Sequence, residues 1–225
     1  MLVNQSRLVL TKYPGLMHIS EGILSAPILV SGAALSLGGT IIGLKKLDYD
    51  RIMGVAMLSS TFFVASLIHV PAGIFSVHLL LNGLMGLILG WSAFPAILVA
   101  LTLQAVFFQY GGFLVLGVNT FTIAAPAVLC GLLFRPLLMQ QGKKLIIAAF
   151  CAGFFSICLS AMTMAAALYL NDHHFLKTAW LLILSHLPVM IVEGLITLFI
   201  VRFLVRVQPD ILGLSSPPNN LDHET

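Results

Sequence analysis

Residues 178–205 read TAWLLILSHLPVMIVEGLITLFIVRFLV, and only Glu193 and Arg202 in that stretch are charged. A bilayer-spanning helix needs about 20 predominantly apolar residues, so this segment is long enough to cross. Its apolar residues run on without the alternation that an outer-membrane barrel strand requires. The same test, carried along the chain, yields six further segments: Ile23–Leu44, Ile52–Ile68, His78–Gly90, Ala93–Phe108, Val118–Phe134 and Leu145–Leu170. The third and fourth are short for a full crossing and are expected to be tilted, broken or buried in the bundle. Composition agrees: 59% of residues are hydrophobic and 8% charged, whereas soluble domains carry about 25% charge. The expected fold is an all-α integral membrane protein of about seven transmembrane helices.

Loop charge sets the expected orientation. Lys45, Lys46, Arg51, Arg135, Lys143, Lys144, Arg202 and Arg206 share one side if there are seven spans, which leaves only Arg7, Lys12 and Lys177 opposite. The C-terminus is therefore expected to be cytoplasmic and the N-terminus outside, in a multi-pass protein of the cell (inner or plasma) membrane. The basic residues are scattered through short loops, which gives no nucleic-acid signature. Cys130, Cys151 and Cys158 lie inside apolar segments without a CxxC pattern and read as small core hydrophobes.

Residues 1–16, MLVNQSRLVLTKYPGL, lack an adequate hydrophobic region and a clear cleavage site, so they make a poor signal peptide. They read as a dispensable extension or a start set too early, ahead of a membrane domain at 17–212 and a polar tail at 213–225. Two of the three misplaced cations lie in this preface. The domain then opens on MHISEGILS, residues 17–25. If Met17 is the mature N-terminus, its α-amine, the amide nitrogen of His18 and the His18 imidazole would wrap one metal in two fused chelate rings. Such a square-planar nitrogen set favours Ni(II), Cu(II) or Co(II) over hard cations.

The expected topology gathers His18, His69, His78, His173 and His174 at the outer face. Residues 69–83, HVPAGIFSVHLLLNG, are broken by Pro71 and Gly73, and His78 is expected to open the next helix. A neutral imidazole there would add a further nitrogen to the plane; the competing reading is an interfacial histidine bonded to loop carbonyls. His69 has Ser66 and neighbouring backbone to satisfy it. His173 and His174 sit in a solvated loop. Residues 104–121, QAVFFQYGGFLVLGVNTF, carry Gln104, Gln109 and Asn119 among glycines that permit tight turns. Amides ligate soft divalent ions poorly, so Gln104 and Asn119 are expected to orient the ligands. His186 and Glu193, seven residues apart, share a helix face and are expected to serve a structural pairing or partner docking. The absence of HExxH, Walker A, GxSxG and CxxC motifs leaves no visible catalytic machinery.

MHISEG, the 104–121 segment and HLPVMIVEGLITLFIVRFLVRVQPDIL (186–212) together resemble the CbiM/NikM family, the metal-binding S components of cobalt and nickel energy-coupling-factor transporters. The resemblance runs from Met17 to about Leu212. It implies seven spans and a planar metal site made by the amine of Met17, the amide and imidazole of His18, and His78. It also implies transport without catalysis or a catalytic cofactor, Ni(2+) or Co(2+) being the substrate. The implied partners are a transmembrane T component, two cytoplasmic ATPase subunits and a small accessory membrane protein. The chain departs from the family pattern where a threonine-rich run becomes Ile74-Phe75-Ser76-Val77, with the spacing from Gly73 to His78 one residue longer. Gly-Asp-Gly-Gly becomes Gln109-Tyr110-Gly111-Gly112, and an Asn becomes Thr122. The divergent loop keeps open an S component for a different metal or a vitamin. An intramembrane metalloenzyme using His69, His78, His186 and Glu193 is the reading from another class, and it lacks an i,i+4 histidine pair beside a carboxylate.

Overall fold

The computed structural model describes residue 19 and residues 21–72, 75–140 and 142–213, with the backbone alone for residues 69–72 and 75–78. Seven α-helices lie within them: α1 Ala26–Lys45, α2 Ile52–Ala65, α3 Asn82–Leu89, α4 Ala93–Phe108, α5 Leu116–Leu138, α6 Lys143–Asn171 and α7 Leu176–Val207. Between α2 and α3, β1 (His69–Ala72) pairs antiparallel with β2 (Phe75–His78). Five apolar segments are long enough to cross a membrane: α1, α5, α6, residues 173–207 and the run Asn82–Phe108. The chain is a multi-pass helical membrane protein. Val30, Leu37 and Phe199 are more than 60% exposed on its flanks, the expected state of side chains that face lipid.

Hydrogen bonds fix the relative directions of α2, α3 and α4. Arg51 at the start of α2 donates to the Ile88 carbonyl at 3.2 Å, while Leu79 N donates to Ile68 O at 3.3 Å beyond the other end of α2. So α3 runs antiparallel to α2. Ser59 Oγ reaches Ala96 O at 2.7 Å, and Gln104 Nε2 reaches Ser66 Oγ at 2.7 Å, which makes α4 parallel to α2. The run Asn82–Phe108 is therefore folded in two. Its reversal is at Gly90, where φ is +53°, a conformation that costs a side-chain-bearing residue more than glycine. Trp91 in this turn carries Lys46 Nζ 5.3 Å from its ring centroid, and Ser92 Oγ donates to Gly43 O at 3.4 Å.

One end of the bundle thus holds Lys45, Lys46, Arg51 and the Ile88–Ser92 turn, together with the Pro209–Leu212 turn, whose Ile211 carbonyl also accepts from Arg51 at 3.4 Å. Arg135, Lys143, Lys144 and Arg206 lie at the α5, α6 and α7 termini of that end. The opposite end holds residues 19–25, the hairpin, the 109–115 loop and the His173–Phe175 turn.

Small residues let the helices approach where lipid supplies no hydrophobic drive between them. A Cβ on Gly83 of α3 would stand 2.5 Å from Gly153 Cα of α6, so these backbones touch. All eight residues of α3 except Leu89 are buried, wedged between α5, α6 and α7. The expected opening of a third helix at His78 is corrected: His78 closes β2, and the helix begins at Asn82. Pro71 cannot supply a helical N–H, and Val70, Phe75 and Val77 favour extended pairing.

Candidate metal centre

The N-terminal segment is held against the bundle by three side chains. Asn119, near the start of α5 and 4% exposed, both accepts from Ile19 N at 3.1 Å and donates to Ile19 O at 3.2 Å. Its carboxamide thus mimics a strand neighbour, and Ile19 is fully buried. Asn171, the last residue of α6, repeats the device by accepting from Ser25 N at 2.7 Å and donating to Ile23 O at 2.9 Å. Between them, Glu21 N donates to Gly111 O at 3.2 Å, and Glu21 Oε1 accepts from Leu114 N at 2.9 Å. The Glu21 side chain fills the place a Cβ on Gly112 would need, and Gly112 has φ +109°. Gly111 and Gly112 are spent on this approach, whereas Gly117 lets α5 meet Ala33 of α1. Asn171 and Glu21 were not singled out by sequence reasoning; an amide closing a long apolar helix was the available signal for Asn171.

Met17 and His18 lie outside the described residues, and His18 immediately precedes the clamped Ile19. His69 and His78 stand directly opposite one another in the hairpin register. Gln104, 1% exposed, holds Ser66 three residues before His69, and its Oε1 has no hydrogen-bond partner among the described residues. Ile19 and Leu80 belong to one continuous apolar cluster with Val118, Met164 and Leu168.

His186 and Glu193 are both buried on α7 but do not bond each other. His186 Nδ1 donates to Leu182 O at 2.7 Å, within its own helix. Glu193, fully buried, uses Oε1 to accept the backbone N–H groups of Leu80 and of Leu81, the latter at 2.7 Å. Those are unsatisfied donors at the N-terminus of α3, so α7 lends α3 its cap. Leu81 has φ +53°, a left-handed conformation that costs a non-glycine residue about 1–2 kcal/mol. At the surface, Asp172 accepts from His174 N at 2.9 Å and pairs with His174 Nδ1 at 2.7 Å. The backbone bond first, and the side-chain bond second, hold the Asp172 carboxyl below its ordinary value. His173 instead packs edge-on against Tyr169, 4.7 Å between centroids. Among the described residues no group of three His, Cys, Asp or Glu side chains is arranged to hold a metal.

Residues 18–211 match the family model of the cobalt uptake substrate-specific transmembrane region, CbiM. The chain belongs to the CbiM family. It is a transport component of the CbiM/NikM cobalt/nickel type and not an enzyme. A putative metal transport protein of Haemophilus influenzae is 42% identical over 88% of this chain and 97% of its own length. The cobalt transport protein CbiM of Lachnoclostridium phytofermentans is 29% identical over 82% of this chain and 80% of its own. A putative fused nickel transport protein of Archaeoglobus fulgidus is 28% identical over 91% of this chain and 71% of its own. The solved structure of a transition metal transporter superposes with a TM-score of 0.74 at 27% identity, covering 85% of this chain and 93% of that one. A truncated transition metal transporter gives 0.71 at 26%, over 84% and 99%. The three regions that carried the resemblance in this CbiM-type chain all lie inside the matched range except Met17 and Leu212.

Proposed function

We propose that this chain is the substrate-binding S component of an energy-coupling-factor importer for Ni(II) or Co(II). The Met17 amine, the His18 amide and imidazole, and His78 hold the ion in a plane. The observation that carries this reading is the two-way bond between Asn119 and Ile19, since it tethers the residue next to His18 in the bundle at the end that bears the hairpin. Gln104, which holds Ser66 ahead of that hairpin and whose Oε1 has no partner among the described residues, orients a ligand histidine as amides and carbonyls do around metal sites. The domain is 17–212 and residues 1–16 are dispensable. The seven helices alternate in direction, with α3 and α4 as the two limbs of one folded run. The basic end, gathering Lys45, Lys46, Arg51, Arg135, Lys143, Lys144 and Arg206, is cytoplasmic by the positive-inside rule, and the metal loads from outside. A transmembrane T component, two cytoplasmic ATPases and a small accessory membrane protein complete the importer.

Chains that begin at Met1 and at Met17, with and without His18→Ala, test this by bound Ni and Co after dialysis. The expected result is tight binding that requires both the Met17 start and His18. Equal, His18-independent binding in every chain sinks the chelate. The Ile74-Phe75-Ser76-Val77 run supports one other reading, a vitamin as substrate; vitamin binding that ignores His18→Ala selects it.

A further inference from the structure

We propose that Glu193 is the positioning residue of the loading hairpin: its carboxylate pins Leu80 and Leu81, and thereby sets where His78 stands relative to the N-terminal chelate. The inference rests on the ligand reading above and adds to it a residue on the last helix.

Leu80 N is two residues beyond His78, and the backbone spans at most about 3.3–3.6 Å per residue. A group that fixes Leu80 and Leu81 therefore limits the reach of His78. Glu193 fixes both by one oxygen. Leu79 N, bonded to Ile68 O at 3.3 Å, ties the adjacent residue to the other base of the hairpin. Leu81, whose N–H this oxygen accepts, holds a left-handed φ of +53°.

The cost of the arrangement argues that it is retained for a purpose. Glu193 is fully buried and its Oε2 has no hydrogen-bond partner among the described residues. Its surroundings on α3, α6 and α7 supply Asn82 Oδ1, Ser156 Oγ and Thr197 Oγ1, also without partners, and no ion pair reaches it among the described residues. The elements that carry them pack together here. Asn82 Nδ2 holds Ser160 Oγ at 2.9 Å, one turn from Ser156, and a Cβ on Gly153 would lie 2.6 Å from both Glu193 O and Thr197 Oγ1. A carboxylate at membrane depth without a counter-charge is expensive and marks function. A leucine would pack this junction at less electrostatic cost, but it would leave the Leu80 and Leu81 N–H groups just ahead of α3 unpaired and free the hairpin base.

The test compares Glu193→Gln, Glu193→Leu and His18→Ala with wild type in lipid nanodiscs. It reads Ni(II) affinity, the d–d absorption of bound Ni(II), and hydrogen exchange of the Leu80 and Leu81 amides without metal. Glu193→Leu is expected to weaken Ni(II) by about 10–100-fold, to shift the absorption, and to speed exchange at both amides. Glu193→Gln keeps a carbonyl oxygen and is expected to restore affinity, absorption and protection together. If Glu193→Leu does not accumulate, Glu193→Asp replaces it: its side chain is one methylene too short to reach both N–H groups, so the same changes in smaller degree are expected. Wild-type affinity and absorption in Glu193→Leu overturn the proposal. Equal weakening in Gln and Leu also overturns it, because charge and not position would then be the role. Rapid exchange of Leu80 and Leu81 in metal-free wild type overturns the clamp whatever binds the metal. A His18→Ala protein that still binds Ni(II) would instead overturn the chelate alone.

Discussion

The carboxamide of Asn119 exchanges two hydrogen bonds with the backbone of Ile19, 3.1 Å in one direction and 3.2 Å in the other. One side chain on α5 thereby satisfies both polar groups of a buried residue. Asn119→Leu removes both bonds and leaves the Ile19 N–H and carbonyl unpaired, at about 1–3 kcal/mol for each group. Thermal unfolding in detergent should fall by several degrees, and metal affinity should drop by about 10–100-fold, as for other groups that orient ligands. Unchanged affinity would separate Asn119 from the site.

Asn171 holds the same segment four to six residues further on. Because both clamps act on residues 19–25, their losses should not add. In a double-mutant cycle, Asn119→Ala and Asn171→Ala are expected to show a coupling of about 0.5–3 kcal/mol. Strict additivity in unfolding would mean that the two ends of the segment are independent.

Gly153 is in close contact with α7 and with Gly83 of α3. Gly153→Ala would place a carbon 2.6 Å from Glu193 O and from Thr197 Oγ1, and overpacking of this kind costs about 1–3 kcal/mol. Gly54→Ala on α2 meets nothing within 4 Å and should be neutral or slightly stabilising. The two unfolding midpoints, measured side by side, should move apart.

Much of this was legible in the chain. The apolar runs located the helices to within a few residues, and the basic residues fell together at one end of the bundle. What escaped was the hairpin: His78 followed by LLLNG reads as the start of an apolar helix. The pairing of β1 with β2 wins locally because Pro71 and the β-branched residues oppose helix. The clamps were half visible. Asn119 stands out as a polar residue inside a quoted motif, but the carbonyls and N–H groups that Asn119, Asn171 and Glu193 satisfy carry no sequence mark.

The Asp172 cap carries a pH dependence. Its folded value lies below the ordinary carboxylate value because the ionised form accepts from His174. Its contribution is therefore present above the unfolded value and is lost as pH falls through the folded one. Amide exchange at His174 should quicken in that acidic window, and Asp172→Asn should weaken the dependence. No acid-side change at His174 would mean that the cap is unimportant to the turn.

Orientation is open to a labelling test. A cysteine at Lys177, at the hairpin end, should react with an impermeant maleimide on intact cells in a background lacking the native cysteines. One at Lys144 should react only after permeabilisation. The reverse pattern would invert the proposed topology.

The eight-residue α3 is about 12 Å long at 1.5 Å per residue, against a hydrocarbon core of about 30 Å. It cannot enter a bilayer as an independent unit during synthesis. Its cap is Glu193 and its packing partners are α5, α6 and α7, all encoded later. The region around the hairpin therefore reaches its final form only after the last helix has been made, so the C-terminal third of the chain governs the maturation of a site whose proposed ligands all lie in its first 78 residues.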